Sequence, residues 1–533
     1  MQTGNIDRQC GRPYLVAALL CAIVLCIFGN SLVNGFVWDD ADIIVGRTWD
    51  SSFSRFNVAF NRDVRNLPLF FTSADTAFSE TTPYYRPLNR ITYLIDYLLW
   101  GLRPEGYHLT SIVLHAAAVA LFFFVVYRRW GSPATAFVAA ALFAVHPANA
   151  EAVNFISARN NILCGVFYLA GLLSYLHFAR QGSSGGLVAG GFFTTAALLS
   201  KEMAVTMPLV VLIFLPGEEK RRKFIAAALS LALVGLYLVV RRAVLGSIGP
   251  DIIAGMGQRL ISMPILLYEY LRLSIFPYHL DAFYDFPVFA VSDYRFTAGI
   301  AGVAAAVILF LRLRDQAPSR AGLLWASAGI ILVLNIIPIP STPVAERYLY
   351  LSLMGFCLAV AAVIGRIQES HRRLVVAAVV VLLILFSART VQRNTAWRSD
   401  ETLYRSMIVS NPANPFGRYN LGITYLEQGR SDAAIAEFEV LVSIAPRSAK
   451  AHLALANACW KAGRKGRARD EWEKAVAVEP ANLEALHQLA SFHRFFGDPS
   501  RARDLFVAIL RLYPDDAAAQ EAVLAMDQER RGG

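Results

Sequence analysis

Runs of apolar residues almost without charge recur along the first three quarters of the chain. They lie near 15–29, 107–127, 133–147, 160–178, 185–200, 203–216, 224–240, 297–311, 321–338, 348–364 and 374–388. Such runs, broken by short polar turns, predict helices that cross a bilayer. Those shorter than the roughly 20 residues an isolated span needs predict helices packed on one another around a cavity. The first run has no small-x-small cleavage site between Phe28 and Trp38, so it is expected to remain as a span. Segment 258–276 is apolar enough to cross, but a crossing there would invert everything after it. We read it as a re-entrant or interfacial helix.

Past residue 390 the pattern changes to charged, alanine-rich helices with a period of thirty-four. Pro412, Pro446, Pro480 and Pro514 keep this spacing, as do Leu421/Leu455/Leu489, Gly422/Ala456/Ala490, Ala434/Ala468/Ala502 and Phe438/Trp472/Phe506. Small residues where paired helices cross, aromatics in the groove and a proline at each end make the tetratricopeptide pattern. The expected fold class is therefore all-α. A polytopic bundle of about eleven transmembrane helices occupies 1–390, with a first outer loop at 30–106. A soluble α-solenoid follows at 391–533, with full repeats at about 415–448, 449–482 and 483–516. Residues 397–412 read as the second helix of a degenerate opening repeat. Such arrays stack into a concave surface that binds peptides or partner proteins.

Composition agrees. Of 533 residues 56% are hydrophobic and only 17% charged, the balance of a membrane protein. The net charge of +10 lies in short loops, which is topology and no sign of nucleic acid. Arg8/Arg12, Arg128-Arg129, Lys220 to Lys223, Arg312/Arg314/Arg320 and Arg366/Arg372/Arg373 all go inside by the positive-inside rule. This leaves Arg241-Arg242 outside, against the rule. Six scattered cysteines without a C-x-x-C pair imply neither a disulfide framework nor a zinc site.

On this topology most ionisable residues at the span edges converge on the far side. Asp39 and Asp40 follow the first span, flanked by Phe36, Val37 and Trp38. They are either a solvated flank or a general base for a hydroxyl, or a hold on a divalent cation. Arg86 lies between Tyr85 and Pro87 and suits a phosphate or carboxylate. His108 and His115 share a helix face, and hydrogen bonding within the bundle is the default for His115. His146, Glu151 and Arg159 fall in the 146–161 turn, where Glu151 and Arg159 are able to pair. Lys201-Glu202 and Glu346-Arg347 sit at span ends, where charges pair or face a cavity. These four either satisfy one another or leave a cation for a phosphate.

The strings FVWDD, YYRPL, GYHLTSIVLH, LFAVHPANAEAVNFISAR, LLSKE and ERYLY, in this order and followed by tetratricopeptide repeats, resemble the transmembrane and tetratricopeptide repeat-containing O-mannosyltransferases. The resemblance covers nearly the whole chain. It implies a GT-C glycosyltransferase that moves a mannose-like sugar from a polyprenyl-phosphate carrier, dolichyl or undecaprenyl, to Ser or Thr of acceptor proteins with inversion. Asp39 and Asp40 would be the catalytic pair, one of them the base. Arg86, Arg159, Lys201 and Arg347 would bind the donor phosphate. His108, His146, Glu151, Glu202, Glu346 and Tyr348 would support the pocket, and the repeats would bind the acceptor protein or peptide. Thr110 and Ser111 stand where relatives commonly carry Asn. Asn160 and Asn161 stand where an acidic residue is common, so no metal is expected to be essential. Compact loops and few repeats look bacterial, placing the chain in an inner membrane with its site and repeats on the periplasmic side. The competing readings are transfer to a lipid or glycan, and a non-catalytic scaffold whose repeats assemble an envelope complex.

Overall fold

The fold is that of a computed structural model, described for residues 11–45, 62–72, 84–217, 220–246, 256–284, 289–334, 342–367 and 369–532. Arg8, Cys10, much of the first outer loop and the last residues of the 321–338 run lie outside the described residues. The described residues are helical without a strand, and they form two units, 1–399 and 400–533.

The first unit is the membrane part of an integral membrane protein. Its helices are α1 (Gly11–Phe28), α2 (Pro87–Trp100), α3 (Pro104–Trp130), α4 (Pro133–Val145), the short α5 (Asn149–Asn154), α6 (Arg159–Gln181) and α7 (Ser184–Ser200). There follow α8 (Met207–Phe214), α9 (Lys220–Leu245), α10 (Met256–Ile275), α11 (Tyr294–Arg312), α12 (Ala317–Val333), α13 (Tyr350–Ile364) and α14 (Arg372–Ala396). Among the described residues seven helical segments are long and apolar enough to cross a membrane, and four apolar ones are shorter. Each of the eleven coincides with an apolar run of the sequence. Helix α10, the segment read as re-entrant, is in neither group, and it carries Arg259, Glu269 and Arg272.

Small residues let these helices approach closely, as packing within a bilayer favours. At the crossing of α12 and α13, a methyl added to Gly322 would meet Gly355 O and Ala359 N. One added to Gly355 would meet Ala326 N and Gly322 O. Backbone lies on backbone there, and α13 is the helix that ERYLY opens.

Side-chain contacts sort the two ends of the bundle. At one end Arg129 donates to Phe214 O, and Arg222 to Ala179 O at 3.1 Å, while Arg366 donates to Asp315 O at 3.0 Å. At the other, Glu202 meets Arg86 at 2.6 Å and Arg241 at 4.0 Å. Arg241, which breaks the positive-inside rule, thus has a carboxylate at its own end.

The second unit begins at Asp400, a little later than the composition change near 390, because α14 continues through Arg393 and Asn394 to Ala396. Helix α15 (Asp400–Ser410) is followed by the pairs α16 (Pro415–Glu427) with α17 (Ser431–Ile444), α18 (Ala449–Lys461) with α19 (Lys465–Val478), and α20 (Leu483–Phe495) with α21 (Pro499–Leu512). Helix α22 (Ala517–Gly532) covers the end. Within each pair the turn has a glycine at positive φ, Gly429, Gly463 and Gly497 at 75°, 75° and 95°. These too are thirty-four apart, a repeat signal beyond those in the sequence reading. Glycine takes this conformation without a Cβ penalty. Ala434, Ala468 and Ala502 are fully buried, and Phe438, Trp472 and Phe506 of the same register are buried with them.

Candidate active site

The chain leaves α1 through a single 3-10 turn, Gly29–Val33, and then tightens into the turn Val37 to Asp40, closed by Asp40 N–H on Val37 O at 3.0 Å. The two aspartates of this turn have different surroundings. Asp40 is fully buried. Its Oδ1 accepts from Ser157 N at 2.7 Å and Ser157 Oγ at 2.5 Å, and its Oδ2 from Ile156 N at 3.3 Å. Asp39 is partly exposed, and among the described residues no hydrogen bond reaches its carboxylate. Burial lifts Asp39 to about 7, against the pull of the Arg347 guanidinium and with a push from Asp42. Burial also lifts Asp40 to about 7, with the Ser157 donors working the other way. A carboxyl near 7 with its lone pairs unspent suits a base at neutral pH. One held by three donors suits an anchor.

Beside Asp39 stands Arg347. Its Nη1 pairs with Glu151 Oε1 and its backbone N–H donates to Glu151 Oε2 at 2.8 Å. The Arg347 side chain stays 13% exposed while Glu151 is fully buried. The Tyr348 ring lies 5.0 Å from Arg347 Cζ and 5.0 Å from Lys201 Nζ, so one aromatic ring meets two cations. Lys201 also donates to Asn161 Oδ1 and feels the charges of Arg86, Glu202 and Arg347. Arg86 grips Glu202 with two bonds, at 2.6 and 3.2 Å, and covers Tyr84 at 4.2 Å. Arg86, Lys201 and Arg347 thus stand among the carboxylates of Glu151, Glu202 and Asp39, and burial together with the neighbouring arginines lowers Lys201 to about 7.

Arg159 is placed elsewhere. Fully buried, it pairs with Asp96 at 2.5 Å and donates to Ser111 Oγ, Thr92 Oγ1 and Tyr107 O. The pairing of Glu151 with Arg159 that the sequence allows is therefore not made; Glu151 holds Arg347 and Arg159 ties α6 to α2 and α3. The physical reason is direction. Arg159 opens α6 and points toward α3, whereas Glu151 on α5 points toward the 3-10 turn Glu346–Leu349. Glu346 likewise pairs across segments, with Arg393 at 3.3 Å and with Tyr284 OH at 3.1 Å.

The histidines are bundle fasteners. His108 Nε2 lies 3.3 Å from Gly35 O, and His115 Nδ1 is 2.8 Å from Tyr350 OH. His146 Nδ1 accepts from Ala148 N–H, so its Nε2 donates to Ser274 O of α10 at 3.1 Å. Among the described residues no three His, Cys, Asp or Glu gather as metal ligands would.

Three features escaped the sequence reading. Asn34, Asn154 and Asn394 form a buried network, with Asn34 Nδ2 on Asn154 Oδ1 at 2.9 Å and Asn154 Nδ2 on Asn394 Oδ1 at 2.7 Å. Asp281, which burial raises to about 7, feels both Arg393 and Glu151. Trp397 lies fully buried against Phe155. The signal for two of these was the polar string RTVQRNTAW after the last apolar run.

Family models described as tetratricopeptide repeat match residues 417–448, 449–474 and 483–526. Protein O-mannosyl-transferase TMTC1 of Homo sapiens is 28% identical over 531 residues, covering 84% of this chain and 57% of that protein. The homologues of this chain include TMTC protein O-mannosyl-transferases. Protein O-mannosyl-transferase Tmtc1 of Drosophila melanogaster is 26% identical, covering 84% of this chain and 64% of its own length. TMTC3 of Mus musculus is 25% identical, covering 82% and 52%. The chain thus spans between about half and two thirds of the length of these TMTC relatives.

Proposed function

We propose that the chain is a GT-C glycosyltransferase that moves a mannose-like sugar from a polyprenyl phosphate to serine and threonine hydroxyls of proteins. The reaction takes place at the extracytoplasmic face of a bacterial inner membrane. The observation that carries the reading is the division of labour in the DD pair: Asp40 is consumed by Ser157 and Ile156, while among the described residues the Asp39 carboxylate has no hydrogen bond and stands beside Arg347. The names of the homologues supply the substrate class.

In this reading Asp39 takes the proton of the acceptor hydroxyl as that oxygen attacks the anomeric carbon. The carbon–oxygen bond to the lipid phosphate breaks on the opposite face, the phosphate leaves with the electron pair, and the anomeric configuration inverts. Arg347, Lys201 and Arg86 stabilise the negative charge that develops on the leaving phosphate. Arg159, enclosed by Asp96 and three further acceptors, keeps α2, α3 and α6 in register and so supports the pocket from behind. Tyr348 holds two of the cations around one ring. Glu151, Glu202 and Glu346 orient arginines, and His108 and His146 fasten the backbone around them. The repeats present the acceptor protein.

The test is transfer of radiolabelled mannose from polyprenyl-phosphate mannose to a short serine- and threonine-containing peptide and to a folded acceptor protein. A chain ending at Ser399 is expected to keep its kcat on the peptide and to show a KM for the protein acceptor raised about tenfold or more, as loss of a second binding module predicts. Equal loss on both acceptors would make the repeats structural. Absence of any transfer by the full chain, with folded protein and intact donor, would sink the reading.

A further inference from the structure

We propose that Trp38 is a positioning residue, whose ring, locked in a three-ring stack, holds the backbone in the one conformation that aims Asp39. The inference rests on the reading of Asp39 as the base. Among the described residues Trp38 is the only non-glycine residue with positive φ, at 53°. It fills the first central position of the turn from Val37 to Asp40, a place that primed turns give to glycine or asparagine. A tryptophan persists in such a conformation only where its surroundings over-determine it, and such positions cluster at active sites.

The surroundings do so here. The Trp38 ring stacks on Phe155 with centroids 5.4 Å apart and planes 11° from parallel. Phe155 stacks in turn on buried Trp397, at 5.4 Å and 23°. Arg347 lies 5.8 Å from the Phe155 ring and Arg393 5.8 Å from the Trp397 ring. The residue on the other side of Asp39 is fixed by the same segment, since Asp40 is held by Ile156 and Ser157. Consecutive residues 155, 156 and 157 therefore grip both neighbours of Asp39, while among the described residues no hydrogen bond reaches the Asp39 carboxylate. The base is aimed by its flanks. The Asp39 carboxyl is desolvated in these surroundings, and the charged groups acting on it are Arg347, Asp42 and Asp40.

Trp38→Gly accepts the turn and removes the ring, whereas Trp38→Phe retains a ring for the stack. Two readouts apply to the full chain in nanodiscs. One is the pH profile of kcat with polyprenyl-phosphate mannose and the peptide. The other is the labelling of Asp39 by dicyclohexylcarbodiimide, which needs a protonated, shielded carboxyl, followed by mass spectrometry across pH. Trp38→Gly is expected to lower kcat about 100-fold with donor KM changed less than about threefold, and Trp38→Phe to recover most of the loss. The labelling midpoint is expected to fall by about one pH unit or more in Trp38→Gly, as solvation restores an ordinary carboxyl. Phe155→Leu, which removes the supporting ring and leaves the turn sequence intact, should move both readouts the same way and serves if Trp38→Gly does not fold. Wild-type kcat and an unmoved labelling midpoint in folded Trp38→Gly, or in folded Phe155→Leu, would overturn the inference. Failure of the base reading is separate: Asp39→Asn would then stay active, while labelling of Asp39 in the Trp38 variants still reports whether the stack governs its surroundings.

Discussion

Asp39→Asn is expected to give a protein that inserts, folds and binds donor but transfers sugar about 10²–10⁴-fold more slowly, the usual worth of a positioned general base. The wild type supplies a matching pH signature. As a general base Asp39 would act deprotonated, and burial has raised its carboxyl to about 7. The rate should therefore be flat above that pH and fall tenfold per unit below it. In Asp39→Asn the residual rate should lose this acid limb. Asp40→Asn should behave differently, since it keeps one carbonyl oxygen for the Ser157 and Ile156 donors but gives up the charge. Hydrogen bonds to a charged group are worth roughly 1.5–3 kcal/mol each, so its main effect should be a lowered thermal midpoint with the acid limb retained. Turnover and thermal unfolding measured on both variants decide the matter. An inactive Asp40→Asn without an acid limb, beside an active Asp39→Asn, would exchange the two roles.

Breaking the Arg347–Glu151 pair should be the second large effect, and its two components can be separated. Arg347→Ala strands the fully buried Glu151 carboxylate and should destabilise the protein by roughly 3–5 kcal/mol, the cost of orphaning one partner of a buried pair. The double change Glu151→Leu with Arg347→Met removes both charges at similar volume. It should recover much of the thermal midpoint, because a buried pair replaced by apolar residues is often close to neutral. It should recover none of the turnover, because the cation for the leaving phosphate is still missing. Recovery of turnover in the double variant would reduce the pair to a fastening, and Lys201 and Arg86 would then have to serve the phosphate alone.

Much of this architecture could be read from periodicity. Each apolar run became an apolar helix, and the thirty-four-residue register fell on paired helices from Pro415 to Leu512, because burial pattern and helix period are local properties of a sequence. The ends of the bundle were also legible, because charge in a short turn has nowhere else to go. Pairings were not. Glu151 and Arg159 are eight residues apart and look like partners, yet each turns to a different neighbour, and that depends on how α5 and α6 are rotated. Asp39 and Asp40 are chemically alike, and what separates them is Ser157, more than a hundred residues away. Arg393, Asn394 and Trp397 were overlooked for a related reason. They belong to the end of a span whose apolar run had already stopped, so periodicity no longer marked them as inward-facing.

The asparagine network has a consequence for how the protein is made. Asn34 donates to the carbonyl of Asn394, a residue 360 positions later, at 3.2 Å, and Asn394 in turn donates to Ile27 O at 3.0 Å. The segment leading to Trp38 and Asp39 is therefore fastened to the last span of the bundle. Contacts of such separation pay their loop-closure cost late. During synthesis every earlier helix can enter the membrane while the turn that carries Asp39 still lacks its final support. A chain interrupted before residue 394 would hold nearly all of its spans and both aspartates, yet lack the fastening through Asn394. On the reading of Asp39 as the base, the last helix is what gives its turn the final fastening.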